Sequence, residues 1–260
     1  MLLSPLKITP LTSYKGALTG IAKILNDYSF LNAWSSEKLN IIGSTTTYID
    51  YKGVHNLNNP AATNQPVFNA SNSNLNNLPT LYYDLDDYAS KSFSDYLIGY
   101  STGCIAGTFR TGSNVADFST LFASSEIAST NKKVVVAYFS GKLRIIIRNT
   151  TSAGDRYEVD CDTTPILANT SYSYIVYQTG SGLKAIINGV SQTFSSVAGT
   201  SSTYWFLNVT GRVNVSIGGL IQSSPVYASQ LTSHSVIILP YVSDAICLEI
   251  CNKLKTLIGL

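Results

Sequence analysis

The chain has 260 residues, 45% of them hydrophobic and only 12% charged against about 25% in an average domain, a composition that builds a core and excludes intrinsic disorder. Its length suits one large β domain plus a short extension. Seventeen Lys and Arg against fifteen Asp and Glu leave a formal charge of +2, too small and dispersed to track phosphates, and no apolar run approaches the ~18 residues of a membrane span, so neither nucleic acid nor membrane insertion is expected.

At the start, Pro5, Lys7 and Pro10 interrupt the one stretch that could act as a signal peptide, so folding in the cytoplasm that makes the chain is expected. From Lys15 to Tyr28, Leu18, Ile21, Ala22, Leu25 and Tyr28 recur at spacings of three and four, the stripe of an amphipathic helix. Trp34 to Lys38 and Thr45 to Tyr51 read as short strands, and residues 53–79, rich in Asn and punctuated by Pro60, Pro66 and Pro79, read as a long surface loop. Beyond residue 80 the texture is strands rich in Tyr, Val, Ile and Thr: 81–83, 96–100, 105–109, 134–139, 143–148, 157–161, 172–177, 183–187, 213–217 and 235–239. Ser140-Gly141 and Gly180-Ser-Gly182 have the form of hairpin turns, and Asn188-Gly189 is a type I′ signal that predicts a return strand near Gln192 to Phe194. Ser243 caps a closing helix whose apolar face is Cys247, Ile250, Cys251, Leu254, Leu257 and Ile258. The four cysteines, Cys104, Cys161, Cys247 and Cys251, have no C-x-x-C spacing and read as small buried hydrophobes. Many short strands with helices only at the ends predict an all-β, two-layer antiparallel sandwich.

Three stretches, in this order, resemble the concanavalin A-like lectin/glucanase superfamily, and within it the laminin-G-like jelly rolls of the kind found in bacteriophage virion proteins. The first is Tyr48-Ile-Asp-Tyr-Lys-Gly53, Asn64-Gln-Pro66, Asn76 to Asp84 and Asp86-Asp-Tyr88, with Leu85 where many members have Gly. Next comes Tyr172 to Gly189, like that family's aromatic strand, glycine turn and strand ending in Asn-Gly. Val213 to Gly219 followed by Val236 to Asp244 resembles the closing strands and terminal helix. The resemblance implies a concanavalin A-like jelly roll with short N-terminal and C-terminal helices, divided into an extension over residues 1–45 and a lectin-like domain over 46–260.

The fold selects no activity by itself, so the site residues decide. Glu158-x-Asp160-x-Asp162 is similar to the paired acids of the glucanase branch, whose alternation points every acid into one cleft; here the strand lies close before Asn188-Gly189 and ends in Asp, and it reads instead as a strand with its acidic face in solvent. Neither His55 nor His234 has a nucleophile or metal partner at short spacing, and Gly211 and Gly218-Gly219 flank a strand instead of opening a phosphate-binding helix. Asp84, Asp86 and Asp87 read first as an acidic turn and second as a calcium loop; no other metal and no cofactor is expected. For carbohydrate, which needs an aromatic face and planar polar groups, the candidates are Tyr204, Trp205 and Asn208, with Tyr88; the competing reading packs Trp205 into the core. These readings converge on a non-enzymatic bacteriophage virion protein, a tail or capsid appendage exposed on the particle, whose lectin-like domain engages a host cell-surface glycan or other virion proteins as a homo-oligomer, with a trimer favoured. The alternative is a bacterial surface adhesin or carbohydrate-binding module, and a glycoside hydrolase comes third.

Overall fold

A computed structural model describes residues 20–260 apart from 60, 85, 129, 223–226 and 229. Two antiparallel sheets lie face to face. The smaller runs, in spatial order, Val190–Ser191, Leu183–Ile187, Ser171–Gln178, Gly103–Thr111, Leu231–Leu239, Leu78–Tyr83 and Val67–Asn72, with Asn32–Ser35 paired beside Leu231–Leu239. The larger runs Phe194–Gly199, Arg156–Cys161, Lys142–Arg148, Lys133–Phe139, Ser119–Ser125, Asn214–Ile217, Ala89–Ser92, Leu57–Asn58, Thr45–Tyr48 and Leu39–Ile42. The chain is thus the expected all-β sandwich with one helix near each end, α1 (Gly20–Asp27) and α2 (Asp244–Leu257). No described helix is long and apolar enough to cross a membrane.

Alternation decides which side chains meet between the layers. In Lys142–Arg148, Leu143, Ile145 and Ile147 point inward to join Val134, Val136, Tyr138, Phe109, Tyr174 and Trp34 in one core, all buried. Several of the buried phenols have partners, since Tyr48 and Tyr83 share a 2.5 Å hydrogen bond and Tyr138 donates to the Gln230 carbonyl at 2.7 Å, whereas the buried Tyr174 hydroxyl has none. The three predicted tight turns each contain positive φ, at Ser140 (50°) with Gly141 (72°), at Gly180 (89°) and at Asn188 (50°) with Gly189 (82°).

A second apolar cluster lies on the outside of the smaller sheet. Here α2 buries Cys247, Ile250, Cys251 and Leu254 against Cys104, Ala106, Ile175, Ile186 and Ile237, and α1 adds Ile21, Ile24 and Leu25. Ser243 caps α2 by accepting from the Ile246 N–H at 3.3 Å, and Lys253 ties the helices together through Asp27 at 2.8 Å. The apolar face of α1 is therefore used within the chain. All four cysteines are free and buried, as their reading as hydrophobes required.

Several sequence expectations are corrected. Residues 32–42, assigned to the N-terminal extension, supply a strand to each sheet. The presumed loop 53–79 contains the edge strand Val67–Asn72. Residues 96–100 form turns, with Asp95 and Leu97 at positive φ and Asp95 Oδ1 accepting from the backbone of Gly211 and Arg212. The helix turn before Gly20 and the Leu85 position lie outside the described residues.

Candidate functional site

Three consecutive strands of the larger sheet, Lys133–Phe139, Lys142–Arg148 and Arg156–Cys161, send the other half of their side chains outward. Their register places Arg144 opposite Asp160, Ile146 opposite Glu158 and Arg148 opposite Arg156. Arg144 binds Asp160 in a fork, Nε to Oδ1 at 2.7 Å and Nη2 to Oδ2 at 2.9 Å, and its guanidinium lies 4.6 Å from the centre of the Phe139 ring. Arg148 reaches diagonally to Glu158, Nε to Oε1 at 2.6 Å. Further along, Lys142 meets Asp162 at 2.7 Å and Ser195 donates to the same carboxylate at 3.0 Å. The hydrogen bond from Lys142 holds the Asp162 carboxyl below its ordinary range.

The expected solvent-facing acidic strand is corrected by this arrangement. Glu158 is 5% and Asp160 8% exposed, because the partly exposed arginines lie across them. Beside them Lys133 is buried, and that burial, with Arg148 adding to it, lowers its ammonium to about 8; its Nζ lies 3.4 Å from Gln222 Oε1. Leu220 covers Ala123, Val135, Ala137 and Ile146 to form an apolar floor next to the ladder. On this face Lys133, Lys142, Arg144, Arg148 and Arg156 stand against Glu158, Asp160 and Asp162, five cations against three carboxylates. Arg148 and Arg156 are direct cross-strand neighbours of like charge, and the buried Nε of Arg156 has no hydrogen-bond partner. Such a face presents guanidinium donors, carboxylate acceptors and an aromatic ring on rigid strands, the groups that an acidic, hydroxyl-rich ligand requires.

The aromatic candidates are brought together but turned inward. Trp205 is 1% exposed in the core with Phe206 edge-on at 5.3 Å, so its faces are closed to a ligand. Asn208 is occupied in accepting from the Trp205 N–H at 3.0 Å, and half-buried Tyr204 donates to Asp155 at 3.1 Å. Arg212, wholly buried, holds this segment by donating to the Val209 and Phe206 carbonyls and to Ser124 Oγ. Tyr88 has no contact with that cluster among the described hydrogen bonds and ring pairs, and burial raises its phenol.

Asp84, Asp86 and Asp87 do approach one another, with carboxylate oxygens within 4.8 Å. Asp87 is buried and accepts from the Asp84 N–H at 3.3 Å, and burial lifts its carboxyl to about 6, so the geometry is that of an acidic turn with one inward carboxyl. His234 is buried between the Pro79 carbonyl, 2.8 Å from Nδ1, and Glu37, 3.4 Å from Nε2. Half-exposed His55 accepts at Nδ1 from the Asn32 amide at 2.7 Å, and the same amide donates to buried Asp50 at 3.0 Å. No hydroxyl or thiol is hydrogen-bonded to either ring among the described residues.

The ladder was half visible in the sequence: the E-x-D-x-D alternation marked the acids, while Arg144, Arg148, Lys133 and Phe139 were missed. A signal existed, since Lys142-x-Arg144-x-x-x-Arg148 alternates with the same period one hairpin earlier.

The sequence matches no protein-family profile and no curated protein. Among solved structures, Trypanosoma rangeli sialidase in complex with the inhibitor DANA is similar with a TM-score of 0.58 at 10% identity, over 87% of this chain and 32% of that one. The Ruminococcus gnavus IT-sialidase CBM40 is similar with a TM-score of 0.51 at 15% identity, over 62% of this chain and 96% of that one. Leech intramolecular trans-sialidase complexed with 2,7-anhydro-Neu5Ac reaches 0.50 at 15% identity, over 63% of this chain and 26% of that one. This chain thus spans a third or less of each of the two sialidases but nearly the whole length of the CBM40 structure. At these identities the likeness defines a class by fold: an all-β sandwich like those found in sialidase chains and in the CBM40.

Proposed function

We propose that the chain is a lectin-like, carbohydrate-binding module that takes an acidic sugar on the outer face of its larger sheet and performs no catalysis on it. The observation that carries the reading is the surplus of guanidinium on that face, where Arg148 and Arg156 stand opposite each other with the Arg156 Nε unpartnered. A ligand carboxylate relieves their repulsion, exposed Asp162 offers a hydroxyl acceptor, and Phe139 backs the guanidinium of Arg144. The leech intramolecular trans-sialidase of similar fold, complexed with 2,7-anhydro-Neu5Ac, supports the ligand class. The absence of catalysis rests on Glu158 and Asp160 being held in guanidinium pairs, so that neither carboxyl is free to shuttle a proton. Display on a bacteriophage particle is a finer proposal, supported by the low charge and the Asn-, Ser-, Thr- and Tyr-rich composition.

A glycan array carrying sialylated, uronylated and neutral oligosaccharides tests the reading. The wild-type protein is expected to bind acidic glycans selectively, and Arg148→Gln and Arg156→Gln each to lose about tenfold or more in affinity, the cost of one charge-assisted hydrogen bond. Failure to bind any acidic glycan, or equal binding by both variants, overturns it.

A further inference from the structure

At the end of the sandwich remote from the charged ladder, both sheets finish in strands that pair on one side only among the described residues. Val67–Asn72 closes the smaller sheet and Leu39–Ile42 the larger one. They lie together, because Gln65 donates from Nε2 to Thr46 Oγ1 at 3.0 Å, fixing the chain that leads into Val67 against the hairpin that carries Ile42. Apolar side chains stand in solvent along both: Ile42 is 71% exposed, Val67 60%, Ile41 42% and Phe68 41%. Native edges are ordinarily guarded by charge, yet no charged residue occurs anywhere in residues 39–49 or 53–83. The opposite end is built differently, since Arg156, Asp162 and Lys184 border its edge strands Val190–Ser191 and Phe194–Gly199.

We infer that the uncharged edge formed by Val67–Asn72 and the 39–48 hairpin is an interface that pairs with the same edge of a second copy of this chain. A copy is the occupant that fits, because an antiparallel edge brought against itself by a twofold axis meets an identical uncharged, apolar strip with no like-charge repulsion, and its outward N–H and C=O groups find partners. Pairing is centred on Val67–Asn69, since a register irregularity follows at Asn69/Asn72 and the Asn69 side chain already accepts the Ser71 N–H. An isologous contact of this kind closes at two subunits, in place of the trimer expected from sequence. It leaves the ladder on each copy open, and two sites on one particle raise the avidity for a glycan-coated surface without new contacts.

Sedimentation of the full chain between about 1 and 100 μM tests the inference, alongside the double variant Ile42→Lys/Val67→Lys, which changes only exposed positions. The wild type is expected to sediment at twice the chain mass at the upper concentrations. For the variant the expectation is monomer mass throughout, with unchanged circular dichroism and melting temperature, and unchanged affinity for a soluble monovalent glycan if the ladder binds one. A wild type that stays monomeric at 100 μM overturns the inference, and so does a variant that stays dimeric. Neither result depends on whether the ladder binds carbohydrate.

Discussion

Arg212 is the buried charge on which the loop over residues 200–212 turns, and its replacement by methionine gives a quantitative check on the packing. The side chain is wholly buried. It donates from Nε to the Val209 carbonyl at 2.7 Å, from Nη2 to the Phe206 carbonyl at 3.0 Å and from Nη1 to Ser124 Oγ at 2.9 Å, with its guanidinium 4.9 Å from the Phe206 ring centre. Each of these charged hydrogen bonds is worth roughly 1.5–3 kcal/mol, and the Val209 carbonyl left unpaired inside the core adds a desolvation cost, while the Phe206 carbonyl keeps the Val209 N–H at 3.3 Å. Opposing this, burial disfavours the cation enough to lower it to about 10, and a buried methionine recovers roughly 1.5–3 kcal/mol of apolar transfer. The balance for Arg212→Met is a loss of about 2–4 kcal/mol, read from urea unfolding as a lower midpoint at unchanged slope. A loss below about 1 kcal/mol would refute the view that this guanidinium anchors the segment carrying Tyr204 to Asn208.

Leu254, buried on α2 against the smaller sheet, becomes a buried unpaired charge in Leu254→Asp, so several kcal/mol of stability should vanish in the same urea assay; an unchanged midpoint contradicts the docking of that helix. Burial lowers the His55 imidazole below its free value of 6.5, with Lys91 acting in the same direction and Asp50 opposing, so its neutral form is favoured by folding. That stability is present in full above pH 6.5 and is lost as pH falls through the lowered folded value; His55→Gln should flatten the acid side of the melting-temperature profile, and an identical profile counts against the network. Asp87, raised to about 6, acts with the opposite sign, its stabilisation present below pH 3.8 and lost as pH rises through 6, which is why the comparison is between proteins and not between pH values. All four cysteines are buried, so Ellman's reagent should titrate none in the native protein within minutes and four after denaturation; fast reaction of any one of them in the native state contradicts the packing.

Local chemistry makes the turns and helix ends legible in the sequence. Ser140-Gly141, Asn188-Gly189 and Ser243 each carry their instruction in two or three residues, and each behaves as read. What the sequence hides is set at a distance. The strand Ser119–Ser125 is small and polar in part, yet every residue is buried because the core covers one face and Leu220, from a segment almost a hundred residues later, covers part of the other. Residues 96–100 have the composition of a strand, but tertiary hydrogen bonds from Asp95 to Gly211 and Arg212 and from Tyr96 to Asn32 hold them in turns. The same holds for the candidate site. Alternation shows that Glu158, Asp160 and Asp162 share a face, while only the pairing of Arg144 with Asp160 shows that this face is a closed ladder instead of a row of free acids. Trp205 has the side chain of a sugar platform, and its fate depends on Arg212 and Phe206 drawing it inward.

The most direct measurement is an amide and guanidinium NMR titration of the ¹⁵N-labelled protein with sialyllactose, set against neutral lactose. Saturable shifts confined to the backbone of residues 133–148 and 156–162 and to the Nε–H resonances of Arg144, Arg148 and Arg156, seen with the acidic sugar and not with lactose, are the predicted result. Shifts centred on residues 204–208 or around Tyr88, or none at millimolar sugar, would contradict the assignment of the ladder as the carbohydrate-binding face.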